Sequence, residues 1–193
     1  MSETKILLVS SVAFLGGLCN LWLLGARLDS LGSKPVLTFS VALWLLVLAG
    51  WGLLAGQVVL PKLWIILLLQ FFMGLLAAMI TMSNTRLAMV IVPVMGRNHF
   101  FAIFSVLANV WLGVAPILWG LVIDAVGNWH AVWLGVEWNR YSAFFAAVAV
   151  VMLVTLVLSR QLEEPQAASM EELLRDILIQ SPQRVWVRLW PRE

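Results

Sequence analysis

Four amides stand in or at the ends of long apolar runs: Asn20, Gln70, Asn84 and Asn109. An amide facing hydrocarbon is costly unless it finds a hydrogen-bond partner or a water-filled cavity. Two chemistries suit such groups. One is hydrogen bonding between helices; the other is reversible hydrogen bonding to a polar solute moving along a pathway. Both stay open at this level. The spacing is helical, because Ser10, Ala13, Gly17 and Asn20 recur at steps of three and four. So do Gln70, Gly74, Ala77, Thr81 and Asn84, and likewise Asn109, Gly113, Pro116 and Gly120. Small residues at this spacing let membrane helices approach closely, so Gly113 and Gly120 are also packing positions. Pro116 removes a backbone hydrogen bond and bends its helix.

Other chemistry is sparse. His99 and His130 stand alone, and no His, Cys, Asp or Glu cluster has metal-ligand spacing. There is no glycine-rich phosphate loop and no nucleophile elbow, so neither an enzyme nor a cofactor is expected. Arg86 lies about 33 Å along its helix from Trp64 at about 1.5 Å per residue, at an interface where arginine snorkels to water. Asp124 falls at a helix end. No carboxylate sits at mid-membrane, where proton relays place one. The lone Cys19, inside an apolar run, is read as a small buried hydrophobe.

The elements that carry these residues follow from composition. Of 193 residues, 62% are apolar and 11% charged, and the mean hydropathy is +0.97. Soluble domains are about 45–50% apolar and about 25% charged, so this chain must face lipid. Five segments are long enough to cross it: 6–24, 36–54, 63–83, 100–123 and 141–158. The expected fold is all-α, an integral membrane bundle of five transmembrane helices over residues 1–160, with a tail over 161–193. A signal peptide is disfavoured, since Ile6–Leu24 exceeds a typical apolar signal core and Gly25–Leu28 offers no small-residue cleavage pattern.

Five spans put the ends of the chain on opposite sides. Nine of the twelve basic residues fall on the C-terminal side, and only Lys5, Lys62 and Arg140 on the other. The positive-inside rule places the C-terminus in the cytoplasm of a cell (plasma) membrane and the N-terminus outside. The pI of about 9.1 reflects that loop charge, so no nucleic-acid partner is implied.

The loop Gly25-Ala-Arg-Leu-Asp29-Ser-Leu-Gly32-Ser-Lys34 concentrates turn-forming and charged residues between two greasy spans. Gly32 permits a turn that other residues resist, Pro35 suits a first helical turn, and Asp29 would suit the free N–H groups at the start of helix four. This stretch resembles the cytoplasmic-loop signature of the major facilitator superfamily of secondary transporters, G-x-x-x-D-[RK]-x-G-[RK]-[RK]. It keeps Gly25, Asp29, Gly32 and Lys34 and departs at Ser30 and Ser33, a weakened form more typical of the loop between the family's eighth and ninth helices. Gly113-Val-Ala-Pro116-Ile-Leu-Trp-Gly120 and the acid and glycine that follow are similar to the family's eleventh helix.

The resemblance covers about residues 6–160 and implies that the five helices correspond to the eighth to twelfth of a twelve-helix transporter. It implies a partial six-helix half-bundle, a small-molecule solute, and alternating access with Asp29 helping to hold one conformation. The missing N-terminal half or a second copy would complete the pathway. Helices two and five, which carry no polar stripe, would be peripheral supports. The alternative is a truncated half-bundle acting as a non-transporting membrane scaffold or assembly factor.

Two segments outside the spans have their own chemistry. Gly127–Arg140 carries Trp129, Trp133 and Trp138 and is expected to lie flat at the outer headgroup layer. In the tail, Ser169 and Glu172 form a capping box before an apolar face of Leu173, Leu174, Ile177 and Leu178. Arg184, Trp186, Arg188 and Trp190 then suit the anionic inner leaflet.

Overall fold

The computed structural model describes residues 3–24, 32–92, 95–127, 129–133 and 135–161. Five helices dominate: α1 (Glu3–Leu24), α2 (Ser33–Ala55), α3 (Leu63–Ile91), α4 (Arg97–Val126) and α5 (Arg140–Gln161). Each is long and apolar enough to span a bilayer, and each contains its expected segment. Helices satisfy their own backbone groups, which lipid cannot do. α3 runs to Ile91 rather than stopping near Ser83. Its 29 residues extend about 43 Å at about 1.5 Å each, past a hydrocarbon layer of about 30 Å. Apolar length therefore marks the immersed part, while the helix continues through Arg86 beyond it.

Packing follows a row: α1 against α3, α3 against α2, α2 against α5, and α5 against α4. The α1–α3 contact is the tightest. A Cβ on Gly74 would collide with the backbone carbonyl of Ala13, and one on Gly16 with the carbonyl of Phe71. In lipid, such contact between backbones replaces the hydrophobic drive that operates in water.

α2 carries no polar stripe and packs deep within the row of helices. It contributes Val36, Leu37, Val41, Val47 and Leu48 to the buried core, where Leu76, Met79 and Leu87 of α3 meet them. Burial within the bundle depends on shape, and uniformly apolar side chains fill space well. Trp51 of α2 stacks on Phe145 of α5 with ring centroids 6.0 Å apart and donates its Nε1–H to Met73 Sδ at 3.1 Å. α4 is the outlying helix, with no fully buried residue; Trp119 reaches Phe144 of α5 edge-on at 5.1 Å.

The connection after α4 is a short β structure. Ala131–Trp133 and Val136–Trp138 form an antiparallel hairpin, β1 and β2, with Trp133 opposite Val136. Gly135 takes the positive φ of 76° in the tight turn. β-branched and aromatic residues flank Leu134-Gly135 on both sides, a hairpin signal that the tryptophans overshadow. The Glu137 N–H donates to the carbonyl of Gly56 at 3.0 Å, docking the hairpin on the end of α2.

Gly32 caps the start of α2 with φ 83° and ψ 161°, a region open essentially to glycine alone. Gly32→Ala is expected to lower the unfolding midpoint in detergent, with a cost of about 1–3 kcal/mol. An unchanged midpoint would show that the turn relaxes without it.

Candidate functional site

The two polar stripes of α1 and α3 come together. A groove of about 600 Å³ runs between these helices, walled by Ala13, Gly17, Gly74, Ala77, Thr81 and Met82 among others. Gly74 and Gly16 bring the backbones together, so the small side chains beside them leave the space open. Thr81 turns its hydroxyl back to the carbonyl of Ala77 at 2.8 Å, and its methyl group is left to line the wall.

Asn20 lies at the seam of α1 and α3 and is fully buried. Its Nδ2 donates to Met82 Sδ at 3.3 Å, a weak acceptor for an amide. Its Oδ1 is buried without a partner among the described residues, and so is Ser83 Oγ on α3. Unsatisfied buried polar atoms cost about 1–3 kcal/mol each, so these two stand out among the apolar side chains of the two helices. Periodicity pointed to Asn20; Ser83 carried no comparable signal, being one serine among many small residues.

The other amides are dispersed. Gln70 is half-buried on α3, and Asn84 is exposed near its far end. Asn109 is exposed on α4 and bonds its own helix, donating to the Ser105 carbonyl at 2.8 Å. Gly113 and Gly120 have nothing within 4 Å of where a Cβ would stand, so the described residues supply no close packing there. Pro116 lies within the continuous helix α4.

Gly25 and Asp29 lie outside the described residues, as does the whole tail from 162 onward. Gly32 and Lys34 of the same motif are described, and Arg86 binds beside them: its Nη1 donates to Ser33 Oγ at 3.2 Å. Arg86 is thus more than a snorkelling charge, since it ties α3 to the first residue of α2. Arg97 donates to the carbonyls of Met89 at 3.1 Å and Val92 at 3.1 Å, covering carbonyls that the end of α3 leaves open.

At the hairpin end, His130 is not isolated: its Nδ1 lies 3.6 Å from Glu137 Oε1. Asn139 and Ser142 cap the start of α5 reciprocally. Asn139 Oδ1 accepts the N–H groups of Tyr141 at 2.9 Å and Ser142 at 3.1 Å, while Ser142 Oγ accepts the Asn139 N–H at 2.7 Å. Asn-x-x-Ser ahead of an apolar run is a legible cap.

No curated protein and no solved structure matches the chain. The family model described as Major Facilitator Superfamily matches residues 1–191. With five apolar spans and the loop and helix motifs lying inside the matched range, the chain belongs to the Major Facilitator Superfamily of multi-pass membrane transporters.

Proposed function

We propose that the chain moves a small solute by alternating access, with the α1–α3 groove as part of the pathway. One observation supports this reading: Asn20 Oδ1 and Ser83 Oγ, both buried and without a partner among the described residues, lie on the two helices that wall a groove of about 600 Å³. Their lone pairs can exchange partners with a polar solute as the bundle rearranges. Gln70, Asn84 and Asn109 are further candidates along the same route, and Gly25, Asp29, Gly32 and Lys34 form the conformational loop.

In this reading the five helices are the family's eighth to twelfth, residues 1–160 form the bundle, and 161–193 form a cytoplasmic tail. The N-terminus faces outward across the plasma membrane. The exposed α4, with Gly113, Pro116 and Gly120, meets an N-terminal half or a second copy. Cysteine labelling of intact cells checks the threading: position 29 should stay shielded from the medium.

The decisive measurement is uptake into proteoliposomes across a panel of small solutes. Ala77→Phe fills the groove from an exposed wall position. By obstructing the pathway it is expected to slow uptake about tenfold or more, a barrier rise of about 1.4 kcal/mol or more, and to leave the unfolding midpoint near that of the parent. Equal uptake in Ala77→Phe and parent would remove the groove from the pathway. No uptake of any solute would leave the scaffold reading in its place.

A further inference from the structure

A second cavity, of about 480 Å³, opens at the hairpin end of the bundle. It lies where α2 and α4 finish and where α3 and α5 begin, which is the headgroup level of whichever leaflet this face meets. Trp129 and Trp133, on either side of His130 in the chain, are both more than half exposed, as interfacial tryptophans are. Its volume falls in the range of about 300–1,000 Å³ that small-molecule sites occupy.

The wall is unlike the apolar surroundings. Glu137 lines it with His130 held beside its carboxylate at 3.6 Å. Arg140 lines it as well. Its guanidinium rests 4.9 Å from the centre of the Tyr141 ring, and it has no carboxylate partner among the described residues. Gln57, also in the wall, is the one non-glycine residue with positive φ among those described, at 55°. An amide is kept there at a conformational cost that glycine would avoid. The wall thus offers a carboxylate and a guanidinium together. A ligand carrying both charges engages both.

We infer that this cavity binds a zwitterion carrying an ammonium and a phosphate, the chemistry of a phosphoethanolamine group. The ammonium donates to Glu137. The phosphate takes the forked donors of Arg140, which match phosphate oxygens in pairs. Leu60, 74% exposed at the mouth, continues the wall toward lipid, so an acyl-bearing ligand can enter sideways. This site is separate from the α1–α3 groove and does not depend on the transport reading.

The test uses the purified full chain in detergent and follows tryptophan fluorescence. Titrants are short-chain phosphatidylethanolamine, phosphatidylcholine and phosphatidylglycerol of equal chain length, and soluble phosphoethanolamine. The ethanolamine lipid should bind about tenfold tighter than the other two lipids, because charge-assisted hydrogen bonds to both groups are available only to it. Choline cannot donate to Glu137, and glycerol offers no cation. Glu137→Gln should abolish the preference for ethanolamine over choline, and Arg140→Gln should weaken the ethanolamine lipid about tenfold. Saturable binding of soluble phosphoethanolamine marks a free solute as the source, and binding of the lipid alone marks a headgroup; both support the site. Affinities of the three lipids within about twofold of one another in the unaltered chain would overturn it, whatever the variants do.

Discussion

Gly74→Ala is expected to separate α1 from α3 and to remove most of the folded protein. The added methyl would occupy the position of the Ala13 carbonyl. An overpacked side chain costs about 1–3 kcal/mol because neighbours change rotamer; here the neighbour is backbone, and a whole helix must shift. The loss should therefore exceed that range and appear as a collapsed monodisperse peak in size-exclusion chromatography and a sharply lowered unfolding midpoint. Gly16→Ala, facing the Phe71 carbonyl, should behave the same way. Gly113→Ala and Gly120→Ala provide the contrast, since nothing stands within 4 Å of either position. Alanine is the better helix former by about 1 kcal/mol, so those variants should match or slightly exceed the parent. Equal behaviour of Gly74→Ala and Gly113→Ala would mean that the α1–α3 contact does not hold the bundle.

This contrast also shows where the amino-acid pattern speaks and where it is silent. Five spans were legible because lipid imposes a length and a composition on every crossing segment, and no packing detail alters that. The stripes on α1 and α3 were legible too, because small residues at helical spacing fit either a close contact or a lined groove, and here they serve both. Which glycine touches which backbone was not. Gly16 does the work beside Gly17, and only the relative rotation of two helices separates them. The centrality of α2 was hidden for a related reason, since a helix that is apolar all round presents no direction. The hairpin after α4 was masked by its tryptophans, which suit an interfacial loop and a strand equally. The Arg86–Ser33 bond joins residues 53 positions apart, a pairing that one-dimensional spacing does not specify.

Asn139→Ala should produce the second large effect, through a junction made almost wholly of hydrogen bonds. Asn139 caps α5 with its Oδ1 and, from the same side chain, donates Nδ2–H to the carbonyl of Ala55 at 2.8 Å. One amide therefore fixes the end of α2 to the start of α5. Losing a cap costs about 0.5–2 kcal/mol, and stranding a buried carbonyl adds about 1–3 kcal/mol. A destabilisation of about 1.5–5 kcal/mol follows if the two add. Asn139→Asp separates them: an aspartate still caps, and its charge suits a helix N-terminus, but it cannot donate to Ala55. Its midpoint should fall between those of the parent and Asn139→Ala. Ser142→Ala removes the reciprocal acceptor of the Asn139 N–H, and combined with Asn139→Ala it should cost less than the sum of the two, since both act on one cap. The hairpin, docked on Gly56 beside this junction, should lose amide-exchange protection at Glu137 in Asn139→Ala and keep it in Ser142→Ala. Full additivity, or undisturbed protection at Glu137 in Asn139→Ala, would show that α2 and α5 are joined by their apolar contacts alone.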